Sequence, residues 1–284
     1  MPFLLAIASA VFYGSADFIG GVVSRRVAAI PVVIISQAAG LLAVGLLLPL
    51  LPAASPTPAD FWWGAAAGLT GGTGVALLYH ALAIGTMSVV APITAVAAVA
   101  IPVVASIALG ERPGSLVIVG ILLGIGAIVL VSQHRTTISS EVADGAHRSL
   151  GIGAALGAGV AIGLFLLTLA QTRASAGLWP LVSARCVSVT LVSVVGINCR
   201  SSLRMPMRLG ALTVAGGLLD MIANSLYMVA AQIGPLSPVV TLSSLYPAST
   251  VLLARAILGE RLSAWQTAGV VCALIAVILI VGGH

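Results

Sequence analysis

Ten stretches of roughly 18–24 residues, each nearly free of charge, follow one another along the 284 residues with short connections between most of them. They fall near 2–22, 31–51, 61–83, 88–110, 115–132, 151–171, 178–197, 208–231, 236–258 and 263–282. A helix needs about 20 apolar residues to cross a hydrocarbon core of about 30 Å. Lipid offers an unpaired backbone group no partner, so stretches of this kind become helices. They lack the polar/apolar alternation of outer-membrane strands. Charged residues make up 7% of the chain, against about a quarter in a soluble domain. The predicted fold is an all-α integral membrane protein of ten transmembrane helices, multi-pass in the cell membrane.

The formal charge of +5 comes from twelve arginines and no lysine, most of them between apolar stretches. There they orient the chain in the bilayer, and nucleic acid is not implied. Cys186, Cys199 and Cys272 have no paired spacing and read as small packing residues. Ala8, Ser9 and Ala10 mimic a signal-peptide cleavage site, but no Arg or Lys precedes them and the apolar run continues to Val23. The stretch reads as the first spanning helix.

A second constraint comes from sliding the chain against itself by 149 residues. Gly85 then falls on Gly234, Ser88 on Ser237, Gly120 on Gly269, and Leu109, Gly110, Glu111 and Arg112 on Leu258, Gly259, Glu260 and Arg261. Between 81–132 and 230–281 there are 13 identities in 52 positions without a gap. The same offset pairs Gly14 with Gly163, Pro31 with Pro180 and Gly68 with Gly217. Apolar runs match by chance, but a charged tetrapeptide repeated in register does not. The chain divides into a first repeat, 1–132, a polar linker, 133–150, and a second repeat, 151–284. Five spans is an odd number, so the second repeat enters the membrane from the opposite side. Such inverted five-helix repeats let two similar halves expose one central site to either side in turn.

At these residues the chain resembles the EamA-type branch of the drug/metabolite transporter superfamily. The resemblance covers essentially the whole chain. It is clearest from Leu78 and Tyr79 through Gly85 to Arg112, and from Ser244, Leu245, Tyr246 and Pro247 to Arg261. Relatives often carry an Arg in the second span of each repeat. Arg185 matches that position, whereas Ser36, beside Gln37, stands there in the first repeat. The resemblance implies export or uptake of small metabolites, amino acids or drugs, coupled to an ion gradient, with no common substrate.

Orientation is open between two arguments. Loops after spans one, five, seven and nine hold Arg25, Arg26, Arg135, Arg148, Arg200, Arg204 and Arg261, with Arg208 at a boundary, while the other side holds Arg112 and Arg173. The positive-inside rule then puts both termini outside. The resemblance implies cytoplasmic termini, and a reporter fused after His284 separates the two.

Ionisable groups inside spans are costly and face a bundle interior. Asp17 lies one turn from Tyr13. Asp220, Asn224 and Tyr227 share one face of span eight. Arg185 shares a face with Ser188, and Ser243, Tyr246 and Thr250 make a stripe on span nine. Pro238 and Pro247 there, with Pro92 and Pro102 in span four, are expected to interrupt their helices where a substrate binds. The candidates for substrate or coupling are Asp17, Tyr13, Gln37, Tyr79, Arg185, Asp220, Asn224, Tyr227 and Tyr246, in a pocket between spans one, two, seven, eight and nine. For Asp17 and Asp220 two roles stand: counter-ion of Arg185 or Arg255, or a carboxylate whose burial lets it carry a coupling proton. Glu111, Arg112, Glu260 and Arg261 read as caps or anchors of turns. Gly64 with Gly68, Gly120 with Gly124, and Gly159 with Gly163 mark close helix contacts.

No nucleophile–base pair, phosphate loop or metal-ligand spacing appears, so the chain does not read as an enzyme and needs no cofactor beyond a proton or other coupling ion. It reads as a secondary active transporter of a small metabolite, amino acid or drug, working by alternating access as an exporter. An uptake permease is the alternative; from another class, a channel or a non-transporting scaffold. Its expected partners are a small-molecule substrate and the lipid bilayer, without nucleic acid, in a monomer or homodimer.

Overall fold

The computed structural model describes residues 1–51, 53–108, 114–132, 141–233, 239, 242–243 and 245–282. The first copy of the repeated turn, 109–112, lies outside them, as do His134, Arg135, Gly234, Ser237, Pro238, Ser244 and His284. Ten α-helices run through the described residues: α1 (Pro2–Ser24), α2 (Ala29–Leu47), α3 (Pro58–Ile84), α4 (Met87–Ala108), α5 (Ser115–Ser132), α6 (Glu141–Ala170), α7 (Trp179–Asn198), α8 (Met207–Ile233), α9 (Tyr246–Leu258) and α10 (Ala264–Gly282). Six are long and apolar enough to cross a membrane, and α4, α5, α9 and α10 give shorter apolar helices. Leu46, Ile197, Leu252 and Ile257 point outward and exposed, the aliphatic surface that lipid covers. Trp62 and Trp63 near the start of α3, Trp179 at the start of α7 and Trp265 at the start of α10 are also exposed, at helix ends where amphipathic rings favour a membrane interface.

Local chemistry sets the helix ends. Proline stands in the first turn of α1, α3, α7 and α9, where its missing N–H has no intrahelical acceptor anyway. In span nine, residues 242–243 are helical, Leu245 is a turn and Pro247 stands in the first turn of the helix that follows, while Pro238 lies outside the described residues. In the first repeat the expected break is absent, because α4 continues through Pro92 and Pro102. Neighbouring helices and hydroxyl groups can satisfy the carbonyls that proline frees inside a membrane bundle. The helix α6 begins at Glu141, ten residues before the expected sixth span and inside the polar stretch. Gly259 closes α9 in the left-handed region (φ 64°, ψ 23°), and the Glu260 N–H returns to the Ala254 carbonyl at 3.4 Å. Glycine makes that C-terminal reversal without a Cβ penalty, and the reversal aims the next residue, Glu260, back at the bundle.

Helices pack across the halves in matched pairs. α1 lies on α8 and α6 on α3; α2 lies on α8 and α7 on α3; α1 lies on α9 and α6 on α4; α5 lies on α10. Exchanging each helix for the one five places along turns α5–α10 into itself and every other one of these pairs into another member of the set. The repeated glycines make the crossings. A methyl group at Gly68 would overlap the Ala184 carbonyl, and one at Gly217 the Ser36 carbonyl. Gly14 meets Tyr246 and Ser249, while its mate Gly163 meets Ala98 and Ile101. Along α3, Gly64, Gly68 and Gly72 face Pro180, Ala184 and Ser188 of α7. Both rows step by four, so small residues line a seam where two backbones touch.

Candidate functional site

Near the middle of the helices a cavity of about 140 Å3 opens between the halves. Its lining brings together all the sequence candidates except Tyr79: Tyr13, Asp17, Gln37, Arg185, Asp220, Asn224, Tyr227 and Tyr246. Tyr79 is buried in the core, its ring over Gly20 of α1. Ser188 and Ser243 also line the cavity, whereas Thr250 donates to the Gly14 carbonyl at 3.1 Å and joins α9 to α1.

Arg185 is the centre of the polar network. One Nη donates to Gln37 Oε1 from the first half and the other to Asp220 Oδ2 from the second. Gln37 Oε1 also accepts from Ser188 Oγ at 3.3 Å, and Asn224 Nδ2 donates to Asp220 Oδ2 at 3.4 Å. Asp220 forms an ion pair with Arg185. Asp17 belongs to none of the three ion pairs among the described residues, which are Arg25–Glu260, Arg173–Asp60 and Arg185–Asp220. Arg255 is exposed and far along α9, as an interfacial arginine would be.

Sequence reasoning missed half of the wall. Spans three, four and six contribute Gly68, Gly71, Gly72, Val75, Leu78, Ala95, Ala98, Val99, Ile162, Phe165 and Leu166. None of these has a charge to advertise it, and the glycines were legible only as contacts. The 149-residue register does locate them. Tyr13 is the mate of Ile162, Asp17 of Leu166, Asp220 of Gly71, Asn224 of Val75 and Tyr227 of Leu78, and all ten line the cavity. Each pair sets a polar residue on α1 or α8 against an apolar one on α6 or α3.

The two ends of the bundle are each held by a contact between the halves. At the end formed by the turns after α1, α3 and α9, Arg25 donates to the carbonyls of Leu82 (3.2 Å) and Gly85 (3.0 Å) and to Glu260 Oε1 (3.0 Å). Glu260 in turn accepts from the Met87 N–H (3.1 Å), the Ser88 N–H (3.0 Å) and Ser88 Oγ (2.8 Å). A carboxylate over the first amides of α4 satisfies donors with no intrahelical acceptor and suits the helix dipole. At the opposite end Asp60 accepts from the Thr57 N–H and hydroxyl at the start of α3 (2.8 and 2.7 Å). It also accepts from Arg173 through its backbone N–H and Nη2, both at 3.0 Å.

Burial pushes the Glu260 carboxyl up, but the hydrogen bonds from Ser88, Arg25 and Met87 outweigh it and hold it below the usual glutamate range. A depressed carboxyl stabilises the folded state above its unfolded value of about 4.3, and loses that contribution as pH falls through the folded value. The thermal midpoint of the purified protein should therefore exceed that of Glu260→Gln by the equivalent of about 1–2 kcal/mol at neutral pH. That gap should close below about pH 4. An equal gap at every pH would remove the charge from this account.

The arrangement defines a class: a polytopic helical membrane protein with a cavity between its halves that holds buried charged groups, and with a contact between the halves at each end. The chain belongs to the EamA-like transporter family, which matches residues 1–133 and 149–282. It is therefore a membrane transporter of small molecules. One solved crystal structure of a protein superposes with a TM-score of 0.59 at 14% identity, covering 98% of this chain and 95% of the other. At that identity the likeness concerns the fold. Comparison with curated proteins gives no significant match.

Proposed function

We propose that this chain is a secondary active carrier that moves one small solute at a time by alternating access, as an exporter driven by an ion gradient. The supporting observation is the position of the cavity. Register mates from both halves line it, so it lies where a pseudo-two-fold axis between inverted repeats would run. The contacts at the two ends suit this mechanism. The Arg25–Glu260 contact must open to release solute at one end, and the Asp60–Arg173 contact at the other. The arginine-rich Arg25 end is placed in the cytoplasm. Asp17, with no ion-pair partner among the described residues, is the group that takes up the driving proton.

The experiment has two stages. Metabolite pools inside and outside cells with and without the protein are compared, and the solute that differs is followed in proteoliposomes. A carrier gives saturable flux that rises when unlabelled solute is placed on the far side. Flux that never saturates, with steady ionic current, would replace the carrier by a channel. Solute accumulating inside expressing cells would reverse the assigned direction.

A further inference from the structure

The cavity has two unlike walls. On one side α1 and α8 present Tyr13, Asp17, Asp220, Asn224 and Tyr227; on the other α3 and α6 present Val75, Phe165 and Leu166 among apolar residues. The charged side chains in the lining are two carboxylates, Asp17 and Asp220, and one guanidinium, Arg185. Asp220 and Gln37 each accept from one Nη of Arg185, and Asp220 is its ion-pair partner. An anionic solute would meet a guanidinium whose charge Asp220 already offsets, together with two carboxylates in the lining. A buried charge is tolerated when it is paired, and of the two carboxylates Asp17 is the one without an ion pair among the described residues. The Tyr246 hydroxyl is buried without a hydrogen-bond partner among the described residues, and its ring meets that of Tyr13 edge-on at 6.2 Å. Tyrosine faces attract cations. A cavity of about 140 Å3 compares with the roughly 150 Å3 that accommodates benzene.

From these features we infer that the solute is a small amphipathic monocation, a primary amine with an apolar body. Its ammonium group binds Asp17 between the tyrosines, and its body lies against Phe165, Leu166 and Val75. This rests on the carrier reading and narrows it. The ammonium group and a proton compete for the same carboxylate, so the proton leaves Asp17 for bulk water as the amine enters. Inward movement of protons can then drive outward movement of amine.

Calorimetry on the purified protein tests the inference with three probes that share a phenyl body: phenethylamine, phenylalanine and hydrocinnamate. Phenethylamine should bind most tightly, with a heat that varies with the ionisation enthalpy of the buffer as the proton is released. Asp17→Asn should weaken it by at least about tenfold, the equivalent of one charge-assisted hydrogen bond, while Asp17→Glu retains binding. The wild-type ranking stands even if a variant fails to fold. Tighter binding of the zwitterion or the anion overturns the inference, as does no binding of any probe. Counterflow in proteoliposomes separates the two readings: solute flux without amine binding removes the substrate class and keeps the carrier. Amine binding without flux keeps the amine site and removes the carrier.

Discussion

Arg185→Ala abolishes flux and lowers stability by about 3 kcal/mol, near the low end of what breaking a buried ion pair costs. The low end applies because the Asp220 side chain keeps 21% of its surface accessible, while Arg185 keeps 10%. Losing the guanidinium leaves the Asp220 charge unpaired, with the long Asn224 hydrogen bond to it, and leaves Gln37 Oε1 with the Ser188 hydroxyl alone. It also removes a side chain that joins α2, α7 and α8 at the level of the cavity. Arg185→Lys should fail nearly as badly for transport, because one ammonium cannot hold two acceptors in the plane that a guanidinium sets. The double variant Arg185→Met with Asp220→Leu separates the causes. Apolar residues of similar volume often replace a buried pair at no cost, so the thermal midpoint should recover while flux stays absent. Wild-type flux in Arg185→Ala would take Arg185 out of the mechanism.

What the sequence revealed and what it hid follow from the same physics. Lipid leaves the backbone one economical answer, so ten apolar stretches become ten helices without knowledge of their neighbours. Polar residues are costly at mid-depth, so Asp17, Arg185, Asp220 and Asn224 stood out, and the structure gathers them into one cavity. The apolar wall was silent because Leu166, Val75 and Gly71 look like any lipid-facing or packing residue. They become legible only as register mates of Asp17, Asn224 and Asp220. Long-range pairs were silent for another reason. Glu260 and Arg25 lie 235 residues apart and Arg173 and Asp60 lie 113 apart, and spacing cannot announce such partners. Pro92 and Pro102 misled, because α4 continues through them, whereas Pro247 opens a helix just after the turn at Leu245.

The largest structural effect should come from one methyl group. In Gly217→Ala the new Cβ would overlap the Ser36 carbonyl, and in Gly68→Ala the Ala184 carbonyl. Both obstacles are backbone, so no side chain can swing aside, and two helices must separate along their whole crossing. Overpacking a core costs about 1–3 kcal/mol; here separation also loosens Gln37 and Arg185, which sit one residue from those carbonyls, and the upper end applies. Gly45→Ala is the matched control, because nothing lies within 4 Å of its added Cβ. In that helix alanine should be neutral or stabilise by up to about 1 kcal/mol. The measurement is the thermal midpoint and the monodisperse fraction of the three purified variants. If Gly217→Ala and Gly68→Ala match Gly45→Ala, the crossings do not set the distance between the halves. If they fall together while Gly45→Ala holds, the two repeated glycines are what bring two unlike walls close enough to enclose one small solute.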